Sequence, residues 1–155
     1  MPYFEVVPVV DPSVRELCRR PYPLHPRGCP NFGKVARCPP KARLFGDVYD
    51  LARPCYAVFS AFDLGAHVER TRVVHPRWSD RQLRNCLYGQ GTARKLLRKE
   101  VDGFSRKKPG YDVTECPEAM GVNVTETMRR AGLVLEWPPV QTVVHVALAA
   151  IRKEK

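Results

Sequence analysis

The residues that could do chemistry are concentrated between Cys18 and Pro40. That stretch holds three of the six cysteines and six of the fifteen prolines of a 155-residue chain. It can be neither a regular helix nor an interior strand, because proline removes backbone donors from both. A metal centre is the economical way to hold it, with Cys18, Cys29 and Cys38 as ligands and a fourth arriving from elsewhere. Three cysteines, Cys29, Cys38 and Cys116, are followed directly by proline. Proline fixes the backbone beside a thiolate, and a Cys-Pro step also ends the ligand run of bacterial ferredoxins. The remaining ligand position falls to Cys18, Cys55 or Cys86. Cys18 sits at the mouth of the loop among basic residues, which lower a thiol's pKa and favour the thiolate. Cys55 opens an apolar strand and Cys86 lies among the apolar positions of a helix, where cysteine serves as a small hydrophobe.

The gaps between ligands bear on the metal. Zinc usually takes paired ligands two to four residues apart, whereas ten residues separate Cys18 from Cys29 and eight separate Cys29 from Cys38. An iron–sulfur cluster is a wider object and tolerates such spreading. The expected cofactor is therefore a [4Fe-4S] cluster, with zinc as the alternative. His25, Tyr22 and Asn31 share the loop and could hydrogen-bond to cluster sulfurs, which tunes a cluster's potential. His25, flanked by prolines, reads equally well as a structural loop residue. No phosphate loop, dinucleotide fingerprint, radical adenosylmethionine cysteine set or hydrolase motif is present, so nucleotide-driven and hydrolytic chemistry are unsupported.

Charge points to a partner. Lys and Arg number 26 against 16 Asp and Glu, a formal charge of +10 and a pI of about 9.6. Such a field favours a polyanion, RNA or DNA above all. The candidate phosphate contacts are Arg84, Arg94, Lys95 and Arg98 on a long helix, and Lys107 and Lys108 in a basic turn that reads equally as a solvated loop. A competing use for the basic residues near the cysteines, among them Arg19, Arg37 and Lys41, is to offset the negative charge of a thiolate-ligated cluster. If the cluster passes electrons, a redox partner is expected as well. No apolar run approaches the roughly 20 residues of a membrane span, and the N-terminal stretch does not read as a signal peptide. The expected location is cytoplasmic and reducing, where cysteines serve as ligands or core residues rather than disulfides.

The motif order also carries a resemblance. Cys-Arg-Arg-Pro-Tyr (18–22), His-Pro-Arg-Gly-Cys-Pro-Asn-Phe-Gly-Lys (25–34), Cys-Pro-Pro (38–40), Cys-Pro-Glu-Ala-Met-Gly-Val-Asn-Val-Thr-Glu-Thr (116–127) and Arg-Arg-Ala-Gly-Leu (129–133) resemble the uncharacterised "predicted metal-binding" cysteine-rich proteins of archaea, bacteria and their viruses. The resemblance covers about a third of the chain. It implies metal ligation by Cys18, Cys29, Cys38 and Cys116, and it brings no established reaction.

The elements that must position these residues follow from pattern and punctuation. Tyr3 to Val10 reads as a first strand, Cys55 to Phe62 as a second and Gln141 to Ile151 as a last one, with a C-terminal helix as the alternative there. Tyr111 to Glu115 reads as a short extended segment. Asp11-Pro12 starts a short helix that delivers Cys18 near its end. Further helices are expected over 41–53, over 64–74 behind Asp63, and over 80–104 behind a Ser79/Gln82 capping box, with a kink or close packing at Gly89 and Gly91. A last helix runs from Pro117 through Met120, Val124 and Met128 to Ala131. This is an α+β plan for one metal-binding domain spanning 1–155: a small sheet of about three strands covered by helices, with a proline-rich cysteine loop holding a metal centre.

Overall fold

The computed structural model describes residues 2–21, 26–84, 91–136 and 139–155. In chain order the elements are β1 (Tyr3–Val6), a 3₁₀ helix (Pro12–Arg19), α1 (Phe45–Val48), β2 (Cys55–Asp63), α2 (Leu64–Val74), α3 (Asp80–Leu83), α4 (Gly91–Lys107), β3 (Asp112–Thr114), a second 3₁₀ helix (Pro117–Met120), α5 (Val124–Arg130) and β4 (Thr142–Ala150). The class is α+β. The sheet has four antiparallel strands in the order β1-β2-β4-β3, one more than expected, because the short extended segment after α4 pairs with β4 through Asp112↔Ala150 and Thr114↔Leu148.

Strand alternation sorts the core into two faces. Phe4 and Val6, Cys55, Ala57 and Phe59, and Val146, Leu148 and Ala150 share one face, covered by Phe45 and by Val124 and Met128 of α5. Tyr3, Tyr56, Val58 and Ala149 turn the other way, against Val101 and Phe104 of α4. Farther along that second face, Phe62 and Val143 pack with Leu64, Val68 and Leu83. Both faces of the central strands β2 and β4 are therefore buried, which is why their sequences run apolar without clean alternation. Cys55 is 5% exposed in this core, and burial pushes its thiol up to about 12. Cys86 lies outside the described residues. No helix among the described residues is long and apolar enough to cross a membrane.

Local signals set several boundaries as expected. The Asp11 side chain accepts from the Ser13 amide, the Asp63 side chain from the Ala66 amide, and Ser79 and Gln82 form the reciprocal capping box. Three expected helices differ. The one over 41–53 shrinks to α1, because Tyr49 bridges Arg152 and the Asp50 N–H donates to the Ile151 carbonyl, a distant pairing that draws the backbone out of helix. The one from Pro117 to Ala131 is broken at Gly121, whose φ of 80° is left-handed, and restarts on a fresh cap where Asn123 Oδ1 accepts from the Glu126 amide. Within 80–104, α3 ends at Leu83 and α4 spans Gly91–Lys107; residues 85–90, Gly89 among them, lie outside the described residues, and a Cβ on Gly91 would meet nothing within 4 Å among the described residues.

Candidate metal centre

A backbone seam brings the two distant parts of the site together. The Asp11 N–H donates to the Gly121 carbonyl at 2.7 Å, the Asn123 N–H donates to the Val9 carbonyl at 2.8 Å, and Val10 bridges Val122 in antiparallel fashion. Thr127, 1% exposed, braces the seam: its hydroxyl accepts from the Val9 amide at 2.9 Å and donates to the Asn123 carbonyl at 2.7 Å. Because the pairing is antiparallel, the first 3₁₀ helix leaves the seam alongside the second. Cys18, near the end of the first, and Cys116, just before the second, therefore lie toward the same end. Packing between them is tight enough that a Cβ on Gly121 would come within 3.2 Å of Pro12 Cα.

The loop then folds back on Cys18. The Cys29 N–H donates to the Cys18 carbonyl at 2.7 Å. Gly28 makes this approach possible: its φ is 84°, and a Cβ there would stand 2.6 Å from the Cys18 carbonyl oxygen and 2.7 Å from the Arg19 carbonyl carbon. From Cys29 the chain advances by turns, with the Phe32 amide on the Cys29 carbonyl (3.2 Å), the Cys38 amide on Val35 (3.0 Å) and the Ala42 amide on Cys38 (3.0 Å). Gly28→Ala should force this loop off Cys18. The left-handed backbone alone costs about 1–2 kcal/mol, so with the backbone clash added, a metal held by this loop should be released to a chelator roughly 30-fold more easily or more; release unchanged from wild type would show that the loop holds no metal.

The thiols feel one another. Cys18 is raised above its ordinary pKa by burial first, then by the neighbouring Cys29 and Cys38 and by Glu118, with Arg15 pulling the other way. Cys116 is raised by burial, Glu118 and Cys38, against Arg37 and Arg94. This corrects the expectation of a depressed Cys18 pKa. At these two positions desolvation and the neighbouring groups outweigh the nearby guanidinium, so the Cys18 and Cys116 thiols keep their protons at neutral pH and a metal would have to displace them. Desolvation raises the Glu118 carboxyl as well. Cys18, Cys29, Cys38, Cys55 and Cys116 are all free. Among the described residues no three His, Cys, Asp or Glu side chains converge closely enough for one ion.

Arg15 is a site residue the sequence did not single out. Its Nη2 donates to the Ala42 carbonyl at 2.8 Å, while its Nε is buried with no hydrogen-bond partner among the described residues. An unmatched buried donor of this kind costs about 1–3 kcal/mol, more when charged. The signal was present as the three-residue spacing to Cys18.

The other expected site residues are distributed unevenly. Tyr22 and His25 lie outside the described residues. Asn31 is exposed, and its carbonyl accepts from the Lys34 and Val35 amides. Outside the expected set, Glu126 is held at about 2 by hydrogen bonds from Arg129 and Arg130. His145, half-buried on β4 opposite Ser60, has its pKa lowered by burial and by Arg94. The basic stripe is largely engaged within the protein. Arg84 donates to the Val140 carbonyl at 3.3 Å, Arg98 lies 3.7 Å from Glu115, and the Lys108 ammonium sits 4.7 Å above the Tyr56 ring. Arg94 acts on Cys116, and Lys95 and Lys107 are exposed. Comparison with protein-family models, with curated proteins and with solved structures finds no match to this chain.

Proposed function

We propose that the protein binds a [4Fe-4S] cluster through Cys18, Cys29, Cys38 and Cys116. The observation that carries this reading is the seam between residues 9–11 and 121–123, which draws two remote cysteine segments into one neighbourhood, so that Cys38 bears on both Cys18 and Cys116. One zinc ion would need its donors gathered at about 2.3 Å from a single point. A cluster spreads its ligands over several irons, which suits cysteines separated by ten and eight residues in the loop with a fourth brought in by the seam. When bound, the cluster supplies one-electron redox chemistry or, if a ligand is missing, an open iron. The chain's part is to desolvate the thiols, to hold them by backbone bonds that do not depend on the metal, and to set Arg15, Arg37 and Arg94 against the added negative charge.

The proposed partner is a nucleic acid, with tRNA-modification-like or redox chemistry as the role. The net charge of +10 and the exposed Lys95 and Lys107 support it. The second reading is a non-enzymatic nucleic-acid-binding module stapled by zinc or a cluster. It is favoured by one observation: the seam and turns are backbone-bonded throughout, as a purely structural knuckle requires. Protein purified without oxygen should be brown, with a broad band at about 400 nm and about four irons per chain. A colourless protein holding about one zinc overturns the cluster and leaves the module; failure to bind labelled RNA or DNA at low salt removes the nucleic-acid partner from both.

A further inference from the structure

Arg15 bridges two of the cysteine-bearing segments. In a 3₁₀ helix residues i and i+3 eclipse one another, so Arg15 leaves the same edge of the Pro12–Arg19 helix as Cys18. Its Nη2 reaches the Ala42 carbonyl at 2.8 Å, and the Ala42 amide is itself bonded to the Cys38 carbonyl at 3.0 Å. The guanidinium thus ties the Cys18 helix to the turn that carries Cys38. What it leaves over is one buried N–H, on Nε, with no acceptor among the described residues. Buried guanidinium donors are strong and are nearly always matched. The nearest acid in sequence, Glu16, is exposed and paired with Arg19 at 3.1 Å. The Glu118 carboxylate, which bears on Cys18, forms no ion pair with Arg15 among the described residues, and a cluster sulfur beside Cys18 would supply the missing acceptor.

We propose that Arg15 is a positioning residue that donates its Nε–H to a sulfur of the bound cluster and thereby raises the cluster's reduction potential. The inference rests on the cluster reading above. Reduction adds negative charge to the cluster, and a cationic donor held against it stabilises the reduced form more than the oxidised one. The second bond, to Ala42, fixes the fork so that the donor is in place before the cluster arrives.

The test loads the full chain with iron and sulfide under anaerobic conditions, as wild type, Arg15→Lys and Arg15→Gln. All three should hold equal iron per chain. The midpoint potential should fall in Arg15→Lys, which keeps the charge and loses the planar N–H, and should fall further in Arg15→Gln, which loses both. In protein labelled with ¹⁵N-arginine, the reduced paramagnetic cluster should show a nitrogen hyperfine coupling in the wild type that disappears in Arg15→Lys. A merely structural arginine would be rescued by lysine and would leave the potential unchanged. If the wild type takes up no iron, the cluster reading falls and this inference with it. If it loads a cluster but shows no arginine coupling, or the coupling and potential survive in Arg15→Lys, the inference alone is overturned. The wild-type coupling needs no variant, so a misfolded Arg15→Gln leaves the question decidable.

Discussion

Cys116→Ser should strip the protein of its metal while leaving the fold in place. Serine offers a hard oxygen whose proton is far harder to remove than a thiol's, so it cannot stand in for a soft thiolate on iron–sulfur or zinc. Iron per chain should fall from about four to below one, and the visible band should vanish. The backbone duties of the position survive the change: its N–H still faces Thr114 Oγ1 (3.3 Å), and its carbonyl still accepts from Ala119 (3.1 Å). The far-ultraviolet circular dichroism of the variant should therefore match that of wild type. Cys55→Ala is the matched control. Cys55 belongs to the core beside Val6 and Ala150 rather than to the loop, so its loss should lower stability and leave the iron count untouched. Full metal retention in Cys116→Ser, or metal loss confined to Cys55→Ala, would show that the ligand set is misassigned.

What was legible in the sequence was local. Asp11 and Pro12 fixed the start of the helix that carries Cys18 near its end, and Asp63 and the Ser79/Gln82 pair fixed two more, because caps and N1 prolines act within a single turn. The strands β2 and β4 were readable from β-branched and aromatic runs long enough to cross a sheet. What failed depended on residues far apart. Nothing near 41–53 announces that Tyr49 and Asp50 pair with the chain around Ile151, and helical spacing at Met120, Val124 and Met128 hid a break that Gly121 and Asn123 together signalled. The surroundings of the basic stripe were illegible for the same reason. Charge and helical period put Arg98 and Arg94 on one helix, but only the fold shows that Arg98 faces Glu115 and that Arg94 bears on Cys116. The cysteine site shows both sides. Three of its ligand candidates were visible as Cys-Pro steps and Cys18 by its place at the mouth of the loop, while the seam between their segments and the unmatched Arg15 donor required three dimensions.

Phe104→Ala should test whether the sheet and the metal loop are separable. Phe104 is 1% exposed and is the centre of an aromatic group on the face of the sheet covered by α4, with ring centroids 5.1 Å from Tyr3, 5.8 Å from Tyr56 and 5.9 Å from Tyr111. Two of these contacts are edge-on, the arrangement in which a ring's positive edge meets its neighbour's negative face. Truncation removes a large buried surface and leaves a cavity that two strands and a helix cannot easily close, at a cost of about 3–5 kcal/mol. Set against a typical total of about 5–15 kcal/mol, that takes a large share of the stability. Chemical unfolding of metal-free protein should shift to markedly lower denaturant at unchanged slope. The seam, the 3₁₀ helices and the Cys29–Ala42 turns use none of these Phe104 ring contacts, so the fraction that remains folded should still load about four irons with wild-type absorption. Because metal binds only the folded chain, loading should recover much of the lost stability by mass action. A Phe104→Ala protein that folds normally yet cannot take up iron would mean that the aromatic face and the cysteine loop form one cooperative unit, with α4 as the element joining them.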